Sequence, residues 1–440
     1  MFQSRTHRYD KMNTKELSRE RWDTNLRRVV ITGLGTFSPN GNSVKSFWDN
    51  TINGVSGIKR ISSFDASGLS CQIAGEIKDF DPSLYFDQKE LKKLPRAVPL
   101  AIGAAIEAFS DAGIYPKQFS ESEAESLGVI IGSGGAGFDY SEKQFELFFS
   151  DKKRQISPYA ISNSLVGMLS SELSIYFGLK GRSHVIANGC ASSTDAIGYA
   201  FNSIRFGQED WFLTGGVEAC VTPAMMTGFE RMKANPVNYN EAPFRGSRPF
   251  DRDREGFVLA EGSWILILEE LERAKLRGAK IYGEIAGYGS TCDAYHRVAI
   301  EPDGKQPCRA LLLAMKDARI SKEDIGYINF HGTSTRLNDK IETLSVKQAF
   351  NSGAIKIPAS STKSMVGHPQ GASGALGTMV TTLSLKEGYL TPTINLETPD
   401  PECDMDYIPN EGRKASIKAA ISNCISFGSK NSALVIKKFE

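Results

Sequence analysis

The sequence predicts an α/β protein of mostly parallel, helix-covered sheets, arranged as two domains or a duplicated one. Three observations carry this. Strand-like and helix-like runs alternate along the whole chain. Chemistry-bearing residues stand just after strands, where α/β sheets present ligands. And 440 residues exceed one ordinary core. The strand runs, in order, are "RRVVITGLG", "ESLGVIIGSG", "SHVIANG", "DWFLTGG", "GSWILILEE", "IGYINFHG", "IKAAISNCI" and "SALVIKKF". Their near-continuous apolar character fits strands covered on both faces. Helical patterns such as "RAVPLAIGAAIEAFSDAG" and "PCRALLLAMKDAR" lie between them. The stretch "GSWILILEELERAKLRGAKIYGEIAGYG" closes one half near residue 280 and opens the next, giving 28–280 and 281–440.

Composition narrows the function. Net charge is +1 and hydrophobic content 40%, so neither nucleic acid nor a membrane surface is called for. No apolar run reaches the roughly 18 residues that a span needs. Residues 1–27 are polar, carry both charge signs and lack the apolar stretch of a signal peptide. They are expected to be an extension, with Met12 as an alternative start, and the protein is expected to be cytoplasmic. Seven cysteines occur without C-x-x-C pairs, which argues against a disulfide framework or a structural zinc site.

Two motifs are set aside. Gly132-x-Gly134-x-x-Gly137 follows a strand, as a dinucleotide fingerprint would, but about a hundred residues of other structure precede it. A tight glycine turn near an active site is the better reading. Ser360-x-x-Lys363 resembles the nucleophile pair of penicillin-binding enzymes, yet S-D-N and K-T-G are absent.

Cys190 is different. It stands where "SHVIANG" gives way to a helix with Ala196, Ile197, Ala200 and Ile204 at helical spacing. A free thiol has a pKa of about 8.5. A helix N-terminus stabilises an anion by up to ~2 kcal/mol, which predicts about a quarter as thiolate. Cys71, Cys220, Cys292, Cys308 and Cys403 are expected to be buried and inert. His331 and His368 lie in glycine-rich turns like that of Cys190, with Lys363 five residues before His368. Three such turns predict one convergent site.

The stretches "NGCASS", "HGTSTRLNDKIE", "STKSMVGH" and "SNCISFGSKN", in this order, closely resemble the β-ketoacyl-[acyl-carrier-protein] synthases, the elongating type II enzymes in particular. The resemblance runs from about Arg28 to the C-terminus. It implies a thiolase-like fold: duplicated halves in a five-layered αβαβα arrangement, usually a homodimer, with a heterodimer as the alternative. It implies that Cys190 accepts an acyl chain from a carrier protein, and that His331 and His368 assist decarboxylation of malonyl-carrier protein. The carbanion then attacks the acyl-cysteine to give a 3-oxoacyl product. It further implies an oxyanion hole from the N–H groups of Cys190 and Phe427, with Phe427 as gate. Lys363 sets the local field, and Thr333 and Thr335 hold the phosphopantetheine arm. No cofactor or metal is implied beyond that arm.

The sequence departs from the family at the gate, which reads Ser426-Phe427-Gly428-Ser429 and then Lys430-Asn431 instead of G-F-G-G and Thr-Asn. Gly189 replaces the usual alanine, Gly377 an expected glutamate, and "HPQGAS" an apolar pair. These changes point to another acyl substrate, so a specialised polyketide or polyene pathway stands beside fatty-acid elongation. A non-catalytic partner subunit is disfavoured because the cysteine and both histidines are present. Gly135 matches a position where the family's fatty-acid members carry isoleucine, which predicts an open acyl pocket, with Phe229 as a second lining residue. Lys89, Lys92, Lys93 and Arg96 form a basic segment expected to dock an acidic carrier protein.

Overall fold

The structure, a computed structural model, describes residues 26–428 and 430–440. Most of the N-terminal extension, and Ser429 of the expected gate, therefore lie outside the described residues. Ten strands build the main sheet: β1 (Val29–Phe37), β2 (Leu127–Gly132), β3 (Ser183–Ile186), β4 (Trp211–Glu218), β5 (Gly262–Glu270), β6 (Gly283–Cys292), β7 (Ile325–Asn329), β8 (Ala359–Ser360), β9 (Ala419–Ser426) and β10 (Lys430–Lys437). The spatial order is β8-β7-β9-β10-β6-β1-β5-β4-β2-β3. Outward from the middle, β1-β5-β4-β2-β3 on one side is repeated as β6-β10-β9-β7-β8 on the other. The directions repeat as well: β2 runs parallel to β3 and β4, as β7 does to β8 and β9. β5 is antiparallel to β4 and β1, as β10 is to β9 and β6. The duplication expected from the sequence is thus present strand by strand.

One expectation changes. The sheets are mixed, because β9 and β10 are joined by a short turn and a hairpin forces antiparallel pairing. The halves also join: β1 and β8's half meet where β1 pairs antiparallel with β6 over Val29–Ile31.

Seven helices matter here: α1 (Ala97–Asp111), α2 (Phe138–Phe149), α3 (Met168–Phe177), α4 (Ser192–Arg205), α5 (Lys305–Asp317), α6 (Arg336–Phe350) and α7 (Ser373–Glu387). Strand alternation sorts them into layers. On β5, Ile265 and Ile267 face the core with α1 and α3, whereas Trp264, Leu266 and Leu268 face the one with α4 and α7. On β10, Leu434 and Ile436 join that central core, while Ala433 and Val435 pack with α5 and α6. The order is therefore helix, sheet, helix, sheet, helix.

The central helices approach closely because their contacts are small. A Cβ on Gly374 would overlap the Thr194 backbone, and one on Gly132 the Ser193 backbone. α7 is buried from Ser373 to Leu385, as a helix between two sheets must be. Its Thr381 and Thr382 hydroxyls donate to the carbonyls of Gly377 and Thr378, which satisfies polar groups that would otherwise cost about 1–3 kcal/mol each. α4 and α7 follow the equivalent strands β3 and β8 and bring both helix starts to the molecular centre.

Candidate active site

Cys190 lies in a single turn, Gly189–Ala191, between β3 and α4, and is buried. The turn needs glycine at 189, where φ is +79°. Ser192 Oγ accepts from the Asn188 N–H at 2.9 Å and pins the turn to the helix start.

His368 reaches the thiol from the turn before α7. Its backbone is clamped by bonds to Val258 O (2.7 Å) and from the Ala260 N–H (3.1 Å). Nε2 stands 3.2 Å from Cys190 Sγ, and Nδ1 2.9 Å from Ser373 Oγ. With the proton on Nδ1 and given to Ser373, Nε2 offers a lone pair to the Cys190 S–H. With Ser373 donating, Nε2 carries the proton and becomes a donor. The first tautomer lets Nε2 accept a proton, and the second lets it donate a hydrogen bond.

His331 follows β7. Glu342 of α6 accepts the His331 N–H (2.7 Å) and the Gly332 N–H (2.8 Å), which fixes the turn. Nδ1 lies 3.3 Å from Cys424 Sγ, which in turn donates to Cys190 O at 3.2 Å. The two imidazoles stand edge to face, with centroids 5.1 Å apart. Burial holds both histidines well below the usual imidazole range, and Lys363 pushes the same way. They are neutral at pH 7.

Lys363 is buried at the start of a one-turn helix, Lys363–Val366. Burial lowers its pKa, opposed by Cys424, Glu342 and Cys190. The glutamate expected at 377 has no room, since a Cβ there would press on Ser422 Oγ and Asn329 Oδ1. Glu342 and Asp339 are the carboxyls whose field reaches the lysine, and burial raises the pKa of both, Glu342 to about 7.

The thiol differs from its expectation. Burial pushes Cys190 up to about 11, while the Phe427 N–H, Lys363 and Ser426 pull it down. The helix proper begins only at Ser192. The helix end therefore does not deliver a thiolate by itself, and His368 Nε2, 3.2 Å away, is within reach of the thiol proton. Cys71, Cys220, Cys308 and Cys403 are buried as expected, but Cys292, at the outer end of β6, is exposed.

Cys190 Sγ and one nitrogen of each histidine lie within 4.8 Å of one another. Such a set has donors for a soft cation. The Lys363 charge, already felt by all three, opposes a second positive charge there.

A cavity of about 410 Å³ opens onto these groups and is lined by Cys190, His331, His368, Thr333, Thr335 and Phe427, with exposed Lys233 and Arg336 also on its wall. The hydroxyls of Thr333 and Thr335 are 3.0 Å apart, and Thr335 also caps α6. Phe427 packs 6.5 Å from Phe229 and from Phe257, and Phe257 meets His368 edge-on. Phe229 thus packs near Phe427 but does not line this cavity.

Gly135 does not line it either. A Cβ there would make ordinary contacts, 3.6 Å from Glu218 Oε1 and 3.8 Å from Phe138 Cβ, on a backbone outside the left-handed region. Glycine is not needed at 135 for the turn. The N–H groups of Gly134 and Gly135 bind the buried Glu218 carboxylate at 2.8 and 3.0 Å, so this glycine turn holds an internal anion. Ser360 bonds to Tyr327 and Thr391 inside the core.

The basic segment is only partly available. Arg96 grips Glu261 with two bonds of 2.7 Å, and Lys93 pairs with Glu90 at 2.5 Å. Lys89 and Lys92 are exposed. Long-range partners such as Glu261 carry no local sequence signal. The sequence reading also passed over Cys424, Ser373, Lys233 and Arg336; the apolar-to-polar changes around His368 were the one visible hint.

Residues 26–274 match the β-ketoacyl synthase N-terminal domain and residues 282–397 the β-ketoacyl synthase C-terminal domain. The chain belongs to the β-ketoacyl synthase family. It is 43% identical over 414 residues to 3-oxoacyl-[acyl-carrier-protein] synthase 2 of Synechocystis sp., covering 94% of this chain and 99% of that one. The Staphylococcus aureus and Coxiella burnetii proteins of the same name are each 41% identical, at the same coverage. Among solved structures, the ketosynthase in the AntDE:AntF complex with a type II polyketide acyl-carrier protein has a TM-score of 0.85 at 33% identity. The ishigamide ketosynthase/chain length factor has a TM-score of 0.86 at 31% identity. Both cover 94% of this chain and 100% of their own. Among the described residues no helix is long and apolar enough to cross a membrane.

Proposed function

We propose that this chain is an acyltransferase that elongates carrier-bound acyl chains by decarboxylative condensation. Cys190 gives its proton to His368 and attacks the acyl thioester, releasing the carrier's pantetheine thiol. Malonyl-carrier protein then binds through the same cavity, with Thr333 and Thr335 holding the arm. Loss of carbon dioxide leaves an enolate whose oxygen takes hydrogen bonds from His331 and His368. Its carbon attacks the acyl-cysteine carbonyl, a C–C bond forms, and the C–S bond breaks. The products are 3-oxoacyl-carrier protein and a Cys190 thiolate, which is reprotonated. The observation that carries this reading is the 3.2 Å approach of His368 Nε2 to Cys190 Sγ at the base of an open cavity.

Neutral imidazoles suit the enolate, because a donor can stabilise it without first giving up a charge-neutralising proton. Phe427 is the gate, and its N–H and that of Cys190 form the oxyanion site. The carrier protein docks at the cavity wall near Lys233 and Arg336, with Lys89 and Lys92 as outlying contacts. The edge strand β3, with Ser183 and His184 exposed, is the face for a second copy. A cytoplasmic location completes the reading.

The pathway is primary fatty-acid elongation, supported by the 41–43% identity to 3-oxoacyl-[acyl-carrier-protein] synthase 2 proteins. A specialised polyketide or polyene pathway is the second reading. It is favoured by polar Gln370, whose Oε1 lies 3.9 Å from Cys190 Sγ. Competition between saturated and 3-oxo or unsaturated acyl-carrier substrates tests this. Preference for the saturated chain supports fatty-acid elongation, and the reverse preference the second reading.

A further inference from the structure

The Cys190 N–H donates to Ser426 Oγ at 2.7 Å. The Ser426 hydroxyl is buried and is itself aimed at Asn188 O (3.0 Å), with Phe427 O as a second acceptor at 3.2 Å. Gly189 makes this seat: a Cβ at 189 would overlap Ser426 Oγ. The glycine at 189 and the serine at 426, both departures from the family pattern, are thus a sterically matched pair.

When a thioester on Cys190 is attacked, its carbonyl oxygen becomes an oxyanion and needs donors beside Sγ. The Phe427 N–H already faces the thiol. The Cys190 N–H is the neighbouring donor, and Ser426 occupies it. We propose that Ser426 is a positioning residue that fills the oxyanion site of the resting enzyme, so that an incoming acyl oxygen must displace its hydroxyl before the Cys190 N–H can serve. Ser426 ends β9 and directly precedes the gate phenylalanine, so emptying the seat and moving the gate involve one segment. The serine restrains acyl transfer until a substrate oxygen competes for the donor.

The inference rests on Cys190 being the acylated thiol, and the experiment separates the two claims. Acylation of Cys190 by an acyl-carrier protein is followed by rapid quench and peptide mass spectrometry, alongside alkylation by iodoacetamide, which develops no carbonyl oxyanion. Ser426→Ala and Ser426→Gly are compared with the parent enzyme, with thermal unfolding recorded for each. Freeing one competing hydrogen bond should raise the ratio of acylation to alkylation rate by roughly three- to tenfold in both variants. An unchanged ratio, with both rates falling together, marks a merely structural serine and overturns the proposal. A lower ratio means that the hydroxyl assists the oxyanion, which also overturns it. If one variant fails to fold, the other decides, and if both fail the serine is structural and the proposal falls. Parent enzyme that is alkylated but never acylated at Cys190 sinks the underlying reading as well.

Discussion

His368 Nε2 lies 3.2 Å from Cys190 Sγ, whereas His331 meets the backbone of Cys190 only through Cys424. The two histidines are therefore not equivalent, although the sequence offered no reason to separate them. On the proposed mechanism, His368 serves both thiol deprotonation and the enolate, and His331 serves the enolate alone.

Alanine at His331 is expected to slow malonyl decarboxylation by about 10²–10³, the usual effect of removing one oxyanion donor, while acylation of Cys190 changes less than about threefold. Alanine at His368 should slow both, with acylation falling by about 10²-fold or more. Separate assays of carbon dioxide release and acyl loading check this. Equal profiles for the two variants would contradict the assignment.

Lys363→Met should change pH behaviour more than rate at neutral pH. Lys363 lowers the Cys190 thiol and both histidines. Without it, iodoacetamide alkylation of Cys190 should shift to higher pH, and decarboxylation should begin to fail at higher pH as the imidazoles protonate. The stability sign follows. A histidine whose folded pKa is depressed contributes stability above its unfolded pKa of about 6.5 and loses it as pH falls further. The parent should therefore lose stability between pH 6.5 and 5 by up to about 1.4 kcal/mol per pH unit and histidine, and the variant less steeply. Thermal unfolding across that range decides; parallel curves would remove Lys363 from the field.

Gly135 does not line the described cavity, so only an acyl chain that runs past that cavity to the glycine turn should be shortened by Gly135→Ile. The backbone admits a side chain and its first atom meets no clash, so folding should survive. Each methylene lost from a buried site is worth about 0.8 kcal/mol, so a chain cut short by three carbons should lose about 2.4 kcal/mol in specificity constant. A chain-length series of acyl-carrier substrates measures this, and an unaltered preference would place the acyl chain elsewhere.

Charge reversal at Lys233 and Arg336 should raise KM for a carrier-bound substrate about tenfold at low salt, with little effect at high salt. A small thioester mimic should show no change. Reversal at Lys89 and Lys92 should do less. If the latter pair proves stronger, docking belongs to the basic segment and not to the cavity wall.

Much of this was legible in the sequence because its signals are local. The strand runs of β5 and β10 each hold an unbroken apolar stretch, Trp264–Leu268 and Ala433–Ile436, since each faces a helix layer on both sides. The turns holding Cys190, His331 and His368 each announce themselves by an adjacent glycine, after a strand for the first two and after the one-turn helix Lys363–Val366 for His368. What stayed hidden depends on distant partners or on burial. Ser426 meets Cys190 across 236 residues, and Arg96 meets Glu261 across 165. The thiol's rise to about 11 follows from burial, which no residue beside Cys190 encodes. The antiparallel strands were missed because periodicity reports which faces are covered and not the direction of pairing.

The central claim is that Cys190 carries the growing chain, and the most direct measurement is the mass of the Cys190 peptide after brief exposure to an acyl-carrier protein. The peptide should gain one acyl group, lose it on adding malonyl-carrier protein as 3-oxoacyl product appears, and remain unmodified in Cys190→Ala, which should still fold. An acyl group found on another residue, or product formed at the parent rate by Cys190→Ala, would contradict the account.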